Sequence, residues 1–299
     1  MNHFVEQQSI RSSLTVSNPK CIDEIRQGSP PTTPMVEDLT VSKWTDFSLQ
    51  TLSGSVGNIL QEQVTPPRGI PSGPLTLNNL GDIEDMLKSR IWPLLWEPNL
   101  KGAEVLRRQL GNSYPEVSIR TTNSISGVRC PCQSFTLPGD RDQARLFVGI
   151  CLSATAWKSK YLSERRLNAD QPIRRIATYC LHADRRYGFI LTSEELVVVC
   201  VSSATRNLED PCQLEWEAIP WAAQGGQDLT VPLSLWFMTM MSLNRDYRRI
   251  CSSRQLLPMN HWVRQYNTQG QPVFRHHISG REVVDYPFGA STRDITGAN

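Results

Sequence analysis

The sequence predicts an α/β (α+β) protein in which a mixed central sheet is flanked by helices. Two stretches carry this prediction. Residues 171–201 combine an amphipathic helix with two strands, and the second strand, LVVVCV, is apolar on both faces, which is typical of a central strand. Residues 231–243 are the most apolar stretch of the chain. They are too short to cross a bilayer and predict a buried helix that covers the sheet.

The charges of the chain nearly cancel, with 31 Lys and Arg against 29 Asp and Glu in 299 residues. The whole molecule therefore has no field that attracts nucleic acid or an anionic membrane, and any such binding requires a local patch. The amino-terminal residues contain no apolar run like that of a secretory signal, which predicts an intracellular protein of the nucleus or cytoplasm, without membrane association. In that compartment the eight scattered cysteines are not expected to form a disulfide scaffold.

Residues 1–75 are expected to form a disordered N-terminal arm. They are rich in Ser, Thr, Pro, Gln and Gly, with proline clusters at 29–34 and 65–74. Such a composition lacks the apolar density that offsets the entropy of ordering the backbone. The segment around Trp44 and Phe47, between the two proline clusters, is compatible with a short helix or a docking peptide, but a plain linker is favoured.

Two helices are predicted after this arm. Asn79 is expected to cap the first helix, with Asp82 in its first turn, where a negative charge complements the helix dipole. The Trp92-Pro93 dipeptide is expected to interrupt that helix. A second helix over residues 97–110 is expected to stop at Gly111.

Four further segments are strand candidates. Residues 116–121 alternate polar and apolar side chains, and residues 132–137 end at a Pro-Gly turn dipeptide. Residues 144–153 are apolar but too short for periodicity to separate a buried strand from a helix. Residues 215–221 predict another strand that a proline stops.

The helix and strands of residues 171–201 are the most clearly patterned part of the chain. Asp170 is expected to cap the helix. Strands over 188–192 and 195–201 are expected to pair as a tight hairpin. The buried helix face has i, i+3, i+4 and i+7 spacing and consists of Ile173, Ile176, Ala177 and Cys180.

These elements define a core domain predicted over residues 76–254. Its last long helix is the apolar one, for which either Asp228 or Thr230 is the expected cap. Residues 255–299 are predicted to be a C-terminal extension. Two strand-like runs within it flank residues 267–270 and predict a terminal hairpin.

Several short segments together resemble a large group of filamentous-fungal proteins. The resemblance spans about residues 115–250, and RYGFILT and LTVPLSLW are its most specific parts. That group looks like a divergent branch of the PD-(D/E)XK, or restriction-endonuclease-like, superfamily, which implies a nuclease-like fold. The segments are LPGD at 137–140, AWKS at 156–159, RRIATY at 174–179, RYGFILTSEELV at 186–197, AIPW at 218–221 and LTVPLSLW at 229–236.

The resemblance implies a Mg²⁺-dependent nuclease site. In such folds an acidic residue on one strand and an (Asp/Glu)-x-Lys sequence on the next bind the ion, and the Lys orients or activates the attacking water. Asp140 matches the acidic position of the family's GD-x-K turn, and Glu116 is the nearby strand carboxylate that precedes it. Arg175 occupies the place where the family's helix usually has Gln.

The chain departs from the family pattern at the catalytic lysine. Asp142 stands where the family has Lys, and additional residues, 141–151, separate the turn from the segment that contains Lys158 and Lys160. Lys158 is the candidate replacement, with Lys160 as the alternative. Because a carboxylate reverses the local charge that a catalytic Lys provides, a degenerate site without a metal is favoured over an active Mg²⁺-dependent nuclease.

A basic stretch before and after the RRIATY helix makes nucleic acid a candidate partner. A solvated helix face is an equally weighted interpretation, and an accessory protein that binds a protein partner, with no nucleic-acid role, is the alternative function. The arginines expected to contact phosphates are Arg165, Arg166, Arg174, Arg175, Arg185 and Arg186.

Other chemical signals are weak. Cys130 and Cys132 lack a second matching pair, and the adjacent His276 and His277 are far away in the sequence, so a zinc site is not favoured. The chain contains no Gly-rich phosphate loop, dinucleotide-binding fingerprint or G-x-S-x-G sequence.

Overall fold

The computed structural model describes residues 7–26, 34–71, 73–111, 120–122, 132–136 and 145–293. Its strands are β1 (Gln8–Ser9), β2 (Cys21–Asp23), β3 (Leu39–Lys43), β4 (Gln63–Val64), β5 (Leu75–Leu77), β6 (Arg120–Thr122), β7 (Cys132–Thr136), β8 (Arg145–Cys151), β9 (Tyr187–Leu191), β10 (Glu195–Ser203), β11 (Cys212–Pro220), β12 (His261–Tyr266), β13 (Pro272–His276), β14 (Glu282–Val283) and β15 (Ser291–Arg293). Its α-helices are α1 (Ile10–Leu14), α2 (Leu49–Val56), α3 (Leu80–Met86), α4 (Trp92–Leu110), α5 (Lys160–Ser163), α6 (Gln171–Ala183), α7 (Val231–Leu243) and α8 (Arg245–Arg248).

Seven strands form a mixed central sheet in the order β3-β11-β10-β9-β8-β7-β6. Strands β9, β10 and β11 are successive antiparallel neighbours, which confirms the predicted hairpin. Strand β8 runs parallel to β9 and reaches it through α6. The segment for which the sequence left strand and helix open is thus a strand, buried at all but its first residue. A mixed sheet flanked by helices confirms the α/β (α+β) prediction.

Helix α6 covers one face of this sheet. Its predicted buried residues, from Ile173 to Cys180, pack on β8, β9 and β10. Gly188 in β9 permits this close approach, because a Cβ there would lie 2.9 Å from Cys180 Sγ. The predicted Asp170 cap is wrong: its backbone is already helical, and its carboxylate accepts a hydrogen bond from Arg174 Nε at 2.6 Å.

Helix α7 covers the opposite face. Every one of its residues is buried. Apolar side chains lie on all faces of this helix, and α4 packs on the side that does not contact the sheet. Thr230 is the cap: its hydroxyl accepts from the Leu233 amide at 3.3 Å and donates to the Leu14 carbonyl at 2.6 Å.

The helices α3 and α4 are continuous rather than interrupted. Asn79 and Asp82 form the capping box that starts α3, as predicted. The interruption expected at Trp92-Pro93 is wrong, because a π-helical turn, Leu87–Ile91, joins the two helices and places Pro93 in the first turn of α4, where its missing N–H is tolerated. Helix α4 ends at Gly111 with a φ of +81°, as expected.

The disordered arm predicted over residues 1–75 is wrong for residues 7–26, 34–71 and 73–75. Strand β3 is an edge strand of the central sheet, parallel to β11, while β1 pairs with β4 and β2 with β5. The apolar side chains of this segment are sparse but buried in the main core, including Ile10, Leu14, Trp44, Phe47, Leu52 and Ile59. Long-range pairing and burial therefore offset the ordering entropy that the composition alone leaves uncompensated.

The carboxyl-terminal residues form a second sheet in the order β14-β13-β12-β15. The antiparallel pairing of β12 with β13 confirms the predicted hairpin. The division of the chain at residues 76 and 255 stays a prediction. Within the described part of the chain, no helix combines the length and apolar character that a bilayer crossing requires.

Candidate functional site

Three residues were predicted to carry a nuclease site, and the structure describes one of them. Glu116 and Asp140 lie outside the described residues, as do Asp142 and Cys130. Lys158 is described and lies beyond the carboxyl end of β8. In the described ranges, no group of three or more His, Cys, Asp or Glu side chains is arranged to hold a metal ion.

Lys158 is engaged by a carboxylate. Its Nζ lies 2.6 Å and 2.7 Å from the two carboxylate oxygens of Glu194. The hydrogen bond to Glu194 raises the pKa of the Lys158 ammonium, so this group stays protonated and does not act as a base at neutral pH. Lys158 also lies at the opposite end of β8 from Arg145, and seven residues of strand span about 20 Å.

The end of the sheet where β8 and β9 finish, which we call the carboxyl edge, is a closed polar network around Asp23. Its carboxylate accepts from the Ala154 amide at 2.9 Å and from the hydroxyls of Ser153 at 3.1 Å and Ser193 at 2.8 Å. Glu195 accepts from the Ser159 hydroxyl at 2.7 Å. These hydrogen bonds satisfy polar groups of the residues that follow β8 and β9, and they hold β2 against the ends of the two strands.

The six predicted nucleic-acid-binding arginines lie at the two ends of α6 rather than in one patch. A helix of 13 residues is about 20 Å long, which separates the two groups. Arg165, Arg166, Arg174 and Arg175 are at its amino end. Arg185 and Arg186 follow its carboxyl end.

Two of the four arginines at the amino end of α6 have structural contacts. Arg174 pairs with Asp170 and donates to the carbonyls of Val36 and Glu37, at 3.0 Å and 2.6 Å, which holds the segment before β3. Arg166 pairs with Glu164 at 2.5 Å. The guanidinium groups of the other two, Arg165 and Arg175, make no hydrogen bond or ion pair with another described residue.

At the other end of α6, arginines from four separate segments come together where β8 and β9 begin. We call this end of the sheet the amino edge, and these five residues the arginine cluster: Arg145, Arg185, Arg206, Arg248 and Arg249. Arg249 Nε lies 2.8 Å from the Asp184 carboxylate, and Arg206 Nη1 lies 3.7 Å from it. Arg185 Nε donates to the carbonyl of Arg145, and its Nη1 donates to the carbonyl of Asp184.

The segments of the arginine cluster contain more basic than acidic residues. Burial, together with the charges of Arg248, Arg249 and Arg145 and opposed by Asp184, lowers the pKa of the Arg185 guanidinium to about 10. The segments that form this edge (145, 184–186, 204–211 and 245–249) contain seven arginines against four acidic residues. Such a concentration of like charge favours an anionic partner.

Arg186 is the exception among the predicted residues at this end. It is buried, its Nε donates to the Arg249 carbonyl at 3.1 Å, and its Nη2 lies 3.0 Å from Cys251 Sγ. Arg186 therefore positions the segment that carries Arg248 and Arg249 instead of facing solvent.

Sequence reasoning missed Arg145, Arg206, Arg248 and Arg249. The run RDYRR at 245–249 is a visible basic signal, but its proximity to Arg185 depends on the pairing of β10 with β9 and β11. The four segments are up to a hundred residues apart in the chain, so their convergence is a tertiary property.

Comparison with protein-family models, with curated proteins and with solved structures finds no match for this chain.

Proposed function

We propose that this protein binds nucleic acid through the arginine cluster, on a restriction-endonuclease-like scaffold with little or no nuclease activity. The observation that carries the proposal is the convergence of five arginines on one edge of the sheet, where the two exposed ones, Arg206 and Arg249, share the carboxylate of Asp184. Arginine forks match phosphate oxygens in geometry, and the segments at this edge contain seven arginines against four acidic residues.

The element order supports the choice of scaffold. Helix α4 is followed by β6, β7 and β8 as successive neighbours in the sheet, and then by α6 and β9. The sequence resemblance requires acidic residues on neighbouring strands followed by a helix, and this order is compatible with it. The segment between β7 and β8, which contains Asp140, precedes Arg145 directly in the chain.

Reduced nuclease activity follows from the side chains that would replace the catalytic lysine. Asp142 brings a carboxylate to the lysine position of the family pattern. Lys158, the candidate substitute, is paired with Glu194 at the far end of β8.

Fluorescence anisotropy with a labelled 20-base-pair DNA duplex and a matched single strand tests the binding. We expect saturable binding at 50 mM salt that weakens steeply by 200 mM salt, because phosphate contacts release condensed counterions. Absence of binding at low salt from a folded protein would overturn the proposal and favour the accessory, protein-binding alternative.

Incubation of the same DNA with Mg²⁺ or Mn²⁺ tests the degenerate site. We expect no cleavage above the level of the Asp140→Ala variant. Robust cleavage that Asp140→Ala abolishes would establish an active metal-dependent nuclease instead.

A further inference from the structure

A cavity of about 210 Å³ lies between the central sheet and the carboxyl-terminal sheet. Its floor is a row of cross-strand neighbours, Tyr187, Cys200 and Glu215, which are directly paired on β9, β10 and β11 and therefore project to the same side. Residues after β3 form one wall, and the segments at 256–259 and 277–278 form the roof. The proposed nucleic-acid function does not use this space.

The polar lining of the cavity is dominated by two carboxylates. The carboxylate of Glu215 has no hydrogen bond or ion pair with any described residue, and that of Asp46 accepts one hydrogen bond, from the Met259 amide at 3.2 Å. Burial raises the pKa of the Glu215 carboxyl, and the negative charge of Asp46 raises it further. A half-buried carboxylate beside a second carboxylate is an unfavourable arrangement unless a cation compensates it.

The other polar groups of the cavity do not supply that cation. Arg186 donates to the Arg249 carbonyl and to Cys251 Sγ, and it makes no ion pair with either carboxylate in the described structure. Burial lowers the pKa of His277 to about 3, so its ring is neutral at physiological pH. The guanidinium of Arg186 lies 5.9 Å from the Tyr247 ring centroid and is the one permanent cation among the described residues of the lining, so the two carboxylates outnumber the cations of the cavity.

Aromatic rings surround the same space. Trp44 stacks on Tyr187 with ring centroids 6.0 Å apart, and Tyr247 packs edge-on against His277 at 4.8 Å. Aromatic faces attract organic cations through the ring quadrupole, particularly where water is excluded. A hard metal ion fits this lining poorly, because Ca²⁺ and Mg²⁺ require six or more oxygen ligands and prefer no aromatic contact.

We propose that this cavity binds a small organic ammonium ion, with its charge between Asp46 and Glu215 and its apolar part against Trp44 and Tyr187. The cavity volume is several times that of one water molecule, about 30 Å³, and fits a ligand of about ten non-hydrogen atoms.

Three probes of equal shape and different charge test this assignment: phenethylammonium, 2-phenylethanol and phenylacetate. Isothermal titration calorimetry and ligand-observed NMR of the full chain should show saturable binding of phenethylammonium. The alcohol should bind at least about tenfold more weakly, because it lacks the charge-assisted interaction, and phenylacetate should not bind.

Glu215→Gln is the diagnostic variant, and Glu217→Gln is its matched control. Glu217 is two residues along the same strand and on the same side, but it is paired with Lys43 at 3.4 Å. Glu215→Gln should weaken phenethylammonium binding about tenfold and should fold normally, because it removes a repulsion. Glu217→Gln should leave binding unchanged.

Three results would overturn the assignment. The first is no saturable binding of phenethylammonium up to about 10 mM, a concentration that would detect even a weak, millimolar affinity. The others are equal binding of the ammonium and the alcohol, and equal effects of the two variants. DNA binding by the same preparations reports separately on the arginine cluster, so the two proposals fail independently.

Discussion

The two edges of the parallel pair β8 and β9 differ in how their charges are compensated. At the carboxyl edge, Asp23, Lys158 and Glu195 each have close partners, and the segment that contains β2 covers the strand ends. At the amino edge, Arg206 and Arg249 share the Asp184 carboxylate, and Arg185 donates to the Asp184 carbonyl. The carboxyl edge is therefore a structural contact within the chain, whereas the amino edge is the surface that we propose for an anionic partner.

The difference shows why residue type alone is a poor guide to a binding surface. Both edges contain basic and carboxylate side chains, and the sequence makes Lys158, at the carboxyl edge, a catalytic candidate. The partner of each charge decides its role: a paired ammonium at the surface contributes little beyond local order, while clustered guanidinium groups create a field that steers anions.

The largest expected effect comes from reversing charge at the amino edge. The double variant Arg206→Glu/Arg249→Glu should weaken DNA binding at 50 mM salt by about a hundredfold, because each reversal removes one phosphate interaction and adds a repulsion. Both side chains are more than half exposed, so folding should be preserved. Anisotropy titration checks this, with Arg108→Glu on α4 as a control of equal exposure that should leave the affinity unchanged.

At the carboxyl edge the expected effect is on stability rather than binding. Asp23→Ala leaves the hydroxyls of Ser153 and Ser193 and the Ala154 amide without their acceptor, which should cost about 2–3 kcal/mol of unfolding free energy. Urea unfolding measures this, and limited proteolysis should cut the N-terminal segment faster. Asp85→Ala, at an exposed position on α3, should change stability by less than about 0.5 kcal/mol. Equal stability of Asp23→Ala and the wild type would show that the network does not hold the segment.

A change of pH should affect stability without affecting the arginine cluster. Burial lowers the pKa of His276 to about 4 and that of His277 to about 3, whereas unfolded histidines titrate near 6.5. Between the folded and unfolded pKa values, the unfolded chain therefore binds more protons than the folded one. The stability that the two neutral histidines contribute is complete above about pH 6.5 and is lost as the pH falls towards their folded-state pKa values.

Urea unfolding at pH 7 and pH 5 checks this prediction, and the loss of stability should be smaller in His277→Gln. Guanidinium groups remain charged throughout, so DNA affinity should be the same at pH 8 and pH 6.5. A stability that rises on acidification would contradict the assignment of neutral, buried histidines.

The smallest expected effect is at Lys158. Lys158→Met removes a partly exposed ion pair and should change the unfolding free energy by less than about 1 kcal/mol. DNA affinity should be unchanged, because Lys158 lies at the carboxyl edge. A DNA-cleavage activity that disappears in this variant would break the distinction between the two edges.

The elements that could be predicted from the sequence are those whose pattern is local. Helix α6 has a strict apolar spacing, β10 contains a continuous apolar run, and Thr230, one of two candidate caps, starts α7 with Pro232 in its first turn.

The parts that could not be predicted depend on distant segments. Strand β3 is short and polar, and only its pairing with β11 and the burial of Trp44 explain its order. Asp170 is a residue type that often caps helices, but its carboxylate accepts a hydrogen bond from Arg174 and none from the backbone amides of the first turn. The arginine cluster is assembled from four segments that are distant in the sequence. The basic stretch around α6 is continuous in the sequence, but its arginines lie at opposite ends of that helix and do not form one patch.

The most direct test of the account compares salt dependence in two double-alanine variants at the opposite ends of α6. For Arg206→Ala/Arg249→Ala, the slope of log K against log salt should become less steep by about 2, one for each arginine–phosphate pair that the variant cannot form. For Arg165→Ala/Arg175→Ala, the slope should equal that of the wild type. The reverse outcome is an unchanged slope for Arg206→Ala/Arg249→Ala and a less steep slope for Arg165→Ala/Arg175→Ala. That outcome would contradict the assignment of the arginine cluster as the binding surface.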